Sequence, residues 1–319
     1  MNADEVKSLL RGPVAPVLTV YDENGEVDLD AVQSNVDQQI RRGLVTGKGA
    51  LLAAGAGGDF PLLTVDERKA IIRAVCETAQ GRAVVIGCAQ SPSTREAVML
   101  AQYAQSAGCH AVQLSPPWYY APLPQQVYEF FRAVATSVDI PIMVYHTPWL
   151  ECTLEVDFIE RLAGDFPNIR ALKWVGVNEF QHVDAYIRLA SHMAIIDNAW
   201  QPVQSFLLGA TGYVSHLANV WPEHEVRFWE MLEQGDLAGA LREYTQVYWQ
   251  WVTLRVWAGQ HISSGESFLV KRAAELTGFI GGPDRGPMRT LNEEERRHVR
   301  EVLQRIGAPI IEAEELRGG

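Results

Sequence analysis

Short apolar runs rich in β-branched residues alternate along the chain with longer stretches in which apolar positions recur every three or four residues. The runs at 14–20, 50–54, 83–88, 111–114, 142–145, 169–173, 194–196 and 213–215 have the length and residue types of strands. The stretches at 28–42, 64–79, 93–107, 123–138, 154–163 and 179–190 predict amphipathic helices, the second opened by the capping box Thr64-Val65-Asp66-Glu67. Gly43, Gly108 and Gly164 stand where helix C-caps are expected. Beyond Ser215 the alternation stops, and 222–259, 265–276 and 292–306 read as helices.

Eight strands alternating with helices imply parallel βαβ units, and a closed (β/α)8 TIM barrel with a C-terminal helical extension is the simplest architecture. The expected division is a barrel carrying the active site over 1–222 and a helical region over 223–319. A doubly wound sheet needs no eighth strand and usually opens with a glycine-rich turn after its first strand. Here the first strand is followed by the acidic turn Tyr21-Asp22-Glu23-Asn24-Gly25.

Composition narrows the partners. Among 319 residues, 47% are hydrophobic and 21% charged. No apolar tract approaches the roughly 18 residues of a membrane span, so disorder and a transmembrane helix are both disfavoured. The 27 basic and 39 acidic side chains give a net charge of −12, which argues against nucleic acid and anionic membranes as partners. Residues 1–12 lack the apolar core of a secretory signal, and four cysteines without C-x-x-C spacing suit reduced thiols, so a cytoplasmic location is expected. The polar residues 312–319 are expected to fray.

Barrel catalysis belongs at the C-terminal ends of the strands. Of five lysines, at 7, 48, 69, 173 and 271, only Lys173 closes a strand-like run; the others read as solvated surface. Burial favours a neutral amine able to attack a carbonyl, as a Schiff base requires, although a strand-end lysine can also snorkel or pair with a carboxylate. Tyr145 ends the preceding strand and could move protons at such a site, or merely cap the core. Gly55-Ala56-Gly57-Gly58 offers closely spaced amides suited to a carboxylate or phosphate, or a plain turn; it lacks the last glycine of a dinucleotide fingerprint. The histidines form no metal-binding pattern, His224 reading as solvated helix face, and Ser215-His216 lacks a nucleophile elbow. The stripe Tyr248, Trp249, Trp251 and Trp257 reads as core or subunit contact.

Taken in order, these segments resemble the dihydrodipicolinate synthase / N-acetylneuraminate lyase family of class I, Schiff-base lyases. Gly55-Ala56-Gly57-Gly58-Asp59-Phe60-Pro61-Leu62-Leu63-Thr64 lies on the family's G-[ST]-[TS]-G-E-x-x-x-L-[ST]. Tyr145-His146-Thr147-Pro148 is similar to its Y-N-x-P, Ala171-Leu172-Lys173 to its G-[IVL]-K, and Gly209-Ala210-Thr211-Gly212-Tyr213-Val214-Ser215 to its G-A-x-G-x-I-S. Pro117-Trp118-Tyr119-Tyr120 falls where the family has P-[YF]-Y-x. The resemblance implies a homotetramer built as a dimer of dimers, with no cofactor beyond a covalent imine between Lys173 and a small-molecule 2-oxo acid. It assigns Tyr145 as acid/base and the amides around Ala56 and Gly57 to the α-carboxylate. Tyr119 matches an aromatic that in several members reaches toward the neighbouring subunit, and His146, Trp149, Leu150, Val214 and Ser215 fall at expected substrate-binding positions.

Two departures point away from the synthase itself. Leu150 stands where the synthase places an arginine for the semialdehyde carboxylate. Ala56 and Gly57 replace both loop hydroxyls, breaking the family's Thr–Tyr proton relay, for which a water or His146 could substitute. Trp149, Leu150 and Trp174 suit a bulkier, less charged substrate half, while His146 and Glu151 could bond sugar hydroxyls. The expectation is an aldolase or dehydratase acting on a 2-keto-3-deoxy sugar acid. A hydratase-aldolase acting on an aromatic or apolar 2-oxo acid is the alternative, with the synthase reaction third, followed by a non-catalytic barrel that binds a 2-oxo acid and a barrel that binds a phosphorylated ligand.

Overall fold

The computed structural model describes residues 1–148, 150, 152–263 and 265–311. Trp149, Glu151 and the 312–319 tail expected to fray lie outside the described residues. The chain begins with α1 (Ala3–Leu9), then alternates β1 (Gly12–Pro16), α2 (Leu29–Arg41), β2 (Ala50–Ala53), α3 (Val65–Ala79), β3 (Val84–Cys88), α4 (Thr94–Ser106) and β4 (Ala111–Leu114). It continues through α5 (Pro124–Ala135), β5 (Ile142–Tyr145), α6 (Val156–Asp165), β6 (Ile169–Trp174), α7 (Glu179–Leu189), β7 (Ala194–Asp197), α8 (Pro202–Leu207) and β8 (Gly212–Val214). The strands close in sequence order into the expected (β/α)8 barrel, with parallel pairing from β3 through β8 and between β8 and β1. Among the described residues five α-helices follow: α9 (Pro222–Glu233), α10 (Leu237–Glu243), α11 (Trp249–His261), α12 (Ser267–Glu275) and α13 (Glu293–Arg305).

The residues group into two compact units, Met1–Val14 with Thr46–Leu52 and Ala83–Val214, and Ala15–Val45 with Ala53–Arg82 and Ser215–Gly319. In the first, alternate strand residues such as Leu52, Val84, Ile86, Met143, Ala171, Ile196 and Val214 form one buried cluster, as the two-residue period of a strand dictates. Val6 and Leu10 join it from the amino-terminal segment. That segment's helix α1 was not foreseen, although Asn2 and Glu5 make a capping box ahead of Val6. In the second unit Leu18, Leu217, Val247, Trp251, Phe268, Val299 and Leu303 share a core, so the aromatic stripe is partly interior: Trp251 is buried and Trp249 exposed.

The helix expected over 222–259 is broken. Gly235 takes φ +79 and ends α9, and the Asp236 side chain accepts from the Gly239 amide at 2.9 Å to start α10. A π-helical turn at Tyr244–Tyr248 then leads into α11. Helix α8 was also missed, being one short amphipathic segment behind Pro202. Gly164 lies inside α6 and caps nothing, whereas Gly43 and Gly108 do take positive φ.

Closure at the β8–β1 seam requires a bare Gly212, because a Cβ there would collide with the Gly12 carbonyl oxygen and lie 3.2 Å from Ile196 Cδ1. Gly212→Ala is expected to lower stability by about 2–3 kcal/mol through this overpacking, read from the denaturant midpoint; an unchanged midpoint would contradict this account of the seam.

Candidate active site

The parallel ladder between β5 and β6 sets Tyr145 beside Lys173 as register partners. Both are nearly buried, Lys173 at 5% and Tyr145 at 4% exposure, because the strands end inside the apolar wall rather than at its rim. Lys173 Nζ lies 4.1 Å from the centre of the Tyr145 ring. An aromatic face attracts an ammonium with about 0.5–2 kcal/mol, so the register sets the amine against the face of the phenol ring.

His146 continues from β5, its amide donating to the Lys173 carbonyl at 3.1 Å. Its ring is fully buried and tilted by 34° against Trp174 with centroids 4.7 Å apart, and Nδ1 is 2.8 Å from the Val175 carbonyl. A carbonyl only accepts, so Nδ1 carries the hydrogen and Nε2 is left as a lone pair, which has no partner among the described residues. Burial holds His146 below the usual imidazole range. Leu150 is half-buried nearby in sequence, and Tyr119 is 77% exposed at φ +83. Within this unit the register therefore brings Lys173 and Tyr145 together, while His146 meets Lys173 through its backbone amide and packs its ring against Trp174. Trp149 lies outside the described residues.

At the end of β2 the chain turns through Ala56–Gly58, with the Gly58 and Asp59 amides donating back to Gly55 and Ala56 at 3.0 Å. A Cβ at Gly58 would strike the Val17 carbonyl, and the Gly58 carbonyl accepts from Thr19 Oγ1 at 2.6 Å, so the loop lies flat on the start of the chain. Asp59 sits at φ +61 and turns its carboxylate inward. One oxygen accepts from Ser267 Oγ and the other from Lys271 Nζ at 3.1 Å.

Lys271 corrects an expectation. It is not solvated surface but fully buried, 4.4 Å from the Tyr21 ring centre and 4.0 Å from Asp284 Oδ1. Its helix is apolar on most sides, and its partner Asp59 is 212 residues away, so no local pattern announces the pair. Burial pushes the Asp284 carboxyl up, and burial with Asp59 nearby pushes the Tyr21 phenol up. The cluster is a desolvated charge site that anchors the end of the glycine loop.

His224 corrects another. Its ring is buried, with Nδ1 2.8 Å from Glu225 Oε1 and Nε2 2.9 Å from Glu243 Oε2. Glu225 also accepts from Ser215 Oγ, so a continuous polar chain runs from the residue after β8 to α10. Val214 belongs to the barrel-interior cluster. The buried Asp197 at the end of β7 was also missed; it accepts from Ser205 Oγ at 2.8 Å and from the Gln201 amide at 3.0 Å, and burial pushes its carboxyl up to about 6.

Lys271→Met leaves Asp59 and Asp284 desolvated without their cation and is expected to cost about 3–5 kcal/mol; adding Asp59→Leu recovers part of that loss, and chemical denaturation of both variants checks it. Acid stability has a predictable sign. His110, His146 and His182 are all held low by burial, so as pH falls below about 6.5 the unfolded chain takes up protons that the folded chain refuses. Asp197 acts oppositely, taking its proton in the folded state first as pH falls through about 6. In His110→Asn, which removes one buried neutral ring, the melting temperature should fall less on acidification from pH 7 to 5.5 than in the unaltered protein, and equal falls would contradict this account of the ring.

The sequence matches the dihydrodipicolinate synthetase family over residues 9–306. It is 32% identical over 305 residues to an uncharacterised DapA-like lyase of Halobacterium salinarum, covering 93% of this chain and 94% of that one. A 4-hydroxy-tetrahydrodipicolinate synthase of Chlorobium phaeovibrioides is 29% identical over 300 residues, with 93% and 98% covered. The fold superimposes on dihydrodipicolinate synthase of Aquifex aeolicus with a TM-score of 0.85 at 26% identity, covering 95% and 100% of the two chains. It superimposes at 0.86 and 25% identity, over 94% and 99%, on an E. coli prophage protein of the same family in complex with pyruvate. With its barrel, its motifs and these matches taken together, the chain belongs to the dihydrodipicolinate synthetase family.

Proposed function

We propose that this protein is a cofactor-independent lyase that acts on a 2-oxo acid through an imine on Lys173. The observation that carries the reading is the nearly buried Lys173 amine set 4.1 Å over the Tyr145 ring by strand register. The amine attacks the C2 carbonyl, and the carbinolamine loses water to give the imine. In aldol cleavage the C3–C4 bond breaks, its electron pair flows into the imine, and the resulting enamine is protonated at C3 before water releases pyruvate. In dehydration a C3 proton and the C4 hydroxyl leave as water. Tyr145 moves the protons at the carbinolamine oxygen, and the amides at Ala56 and Gly57 hold the α-carboxylate, as the family resemblance assigns. The pyruvate bound by the E. coli relative supports the same ligand class.

A 2-keto-3-deoxy sugar acid is the leading substrate class, because Leu150 replaces the arginine of the synthase and His146 offers a buried lone pair for a hydroxyl. An aromatic or apolar 2-oxo acid comes second, favoured by Trp174 beside His146. The assembly that goes with this reading is a cytoplasmic homotetramer in which the exposed Tyr119 meets a neighbouring subunit. No helix among the described residues is long and apolar enough to cross a membrane.

Borohydride reduction in the presence of pyruvate should leave one stable adduct by intact mass, absent in Lys173→Ala; no adduct on any lysine would sink the class. Tyr145→Phe is expected to lower kcat by about 10²–10⁴-fold while the adduct still forms. Across a panel of 2-oxo acids, pyruvate release marks cleavage and loss of water alone marks dehydration. An adduct with no turnover on any acid would instead favour a binding protein.

A further inference from the structure

Helices α12 and α13 line a cavity of about 450 Å³ whose walls, apart from Leu276, are charged side chains. The two helices share an apolar core through Ala273, Ala274, Val299 and Leu303. The Ile311 amide donates to the Leu276 carbonyl at 2.9 Å, which ties the chain beyond α13 back to the end of α12. The walls are therefore fixed against each other. Four of the lining residues are arginines and two are glutamates, in a chain whose net charge is −12. Local charge runs against the global balance.

On α13 the spacing 293, 296, 297 and 300 puts Glu293 and three arginines on one helix face. Arg296 and Arg300 stand four apart, where like charges repel by about 0.2–0.5 kcal/mol, so the face is unfavourable until an anion joins it. The fold's own carboxylates do not supply one. Among the described residues Arg296, Arg300 and Glu293 form no ion pair. Arg296 is held by neutral acceptors, Nε donating to the Leu291 carbonyl at 3.1 Å and Nη2 to Thr290 Oγ1 at 3.2 Å. Arg297 Nε comes only within 3.9 Å of Glu301 Oε1, an exposed pair of little strength. Across the cavity Arg272 is 7% exposed, with Nη1 3.0 Å from Glu275 Oε1 and Nη2 on the Gly282 carbonyl. Its Nε has no partner among the described residues, and a buried donor left unmade costs about 1–3 kcal/mol. Burial pushes the Glu275 carboxyl up against the pull of Arg272 and Arg296, which marks this wall as poorly hydrated.

We propose that this cavity binds a small anion of at least two negative charges, phosphate-bearing or polycarboxylate, between Arg296, Arg297 and Arg300 of α13 and the Arg272 wall of α12. Within the lining, Arg272 and Glu275 cancel and Glu293 offsets one of the other three arginines, which leaves two positive charges for a dianion to neutralise. Guanidinium forks match the paired oxygens of phosphate and carboxylate alike, and a poorly hydrated wall strengthens each bond. The acidic remainder of the chain repels a long polyanion, whereas a small one fits the pocket. None of these residues belongs to the imine site, so the inference stands apart from the Lys173 reading and assigns a second ligand.

The test is isothermal titration calorimetry of the full chain at fixed ionic strength with two probes, inorganic pyrophosphate and citrate, and sodium chloride as the monovalent control. One saturable site per chain is expected for at least one probe, with Kd below about 1 mM, and the tighter probe tells phosphate from carboxylate chemistry. Arg300→Gln should raise that Kd about tenfold or more, and Arg300→Lys, which keeps the charge without the fork, should raise it less. Arg41→Gln removes the same charge from α2, where the side chain is 76% exposed beside Asp37, and should leave Kd unchanged. If Arg300→Gln fails to fold, Arg297→Gln, at a side chain 68% exposed, carries the comparison. No saturable binding of either probe overturns the proposal. Equal weakening in Arg41→Gln and Arg300→Gln overturns it as well, since attraction would then be general. So does binding that appears only after residues 312–319 are removed, because Glu312, Glu314 and Glu315 would then be the anions that hold the cavity.

Discussion

Everything the candidate site does depends on the register of two short parallel strands. Parallel pairing runs all eight strand ends the same way, and a period of two decides which residues reach the interior. A slip of one residue between β5 and β6 would send either Tyr145 or Lys173 to the helix side and leave the amine against aliphatic chains. The apolar ladder below them, with Val144 against Leu172 and Met143 against Ala171, makes such a slip costly. Chemistry at the strand ends is thus fixed by packing underneath, and the residues that hold the register need no polar character.

The second organising effect is the matching of charge where water is excluded. Asp59 with Lys271, His216 with Glu266, and His224 with two glutamates are all closed locally, each charged or polar group meeting a partner within hydrogen-bond reach. These pairs contribute less net stability than their distances suggest, because desolvation offsets most of the attraction. What they contribute is positional: each has few satisfactory arrangements, so the loop after β2 and the segment after β8 are held in one conformation.

The barrel was legible because its signal is periodic and repeated. Strand positions followed from short β-branched runs, and Lys173 stood out as the one lysine at the end of such a run. Legibility failed where the determining partner is distant in sequence. Lys271 and His224 look like helix surface until Asp59, Glu225 and Glu243 are placed beside them, and His216 looks inert until Gly57 is found beneath its ring. The break near Gly235 was readable in principle, since a glycine followed by a capping aspartate is a stop and a start; the apolar spacing on either side masked it. Helix α1 escaped for a different reason, being a capped helix of about two turns and too short to show a period.

The polar chain from Ser215 through Glu225 and His224 to Glu243 bears on how such a barrel can diverge. Each member bonds its neighbours inside the packed helical region, so exchanging one strands a group whose partner still needs it. The constraint therefore falls on the set, and its members are expected to covary across relatives, with ancestral and descendant sequences differing by the whole group or by none of it. Drift in this part of the family would move in blocks, while the exposed helix faces outside it change one residue at a time.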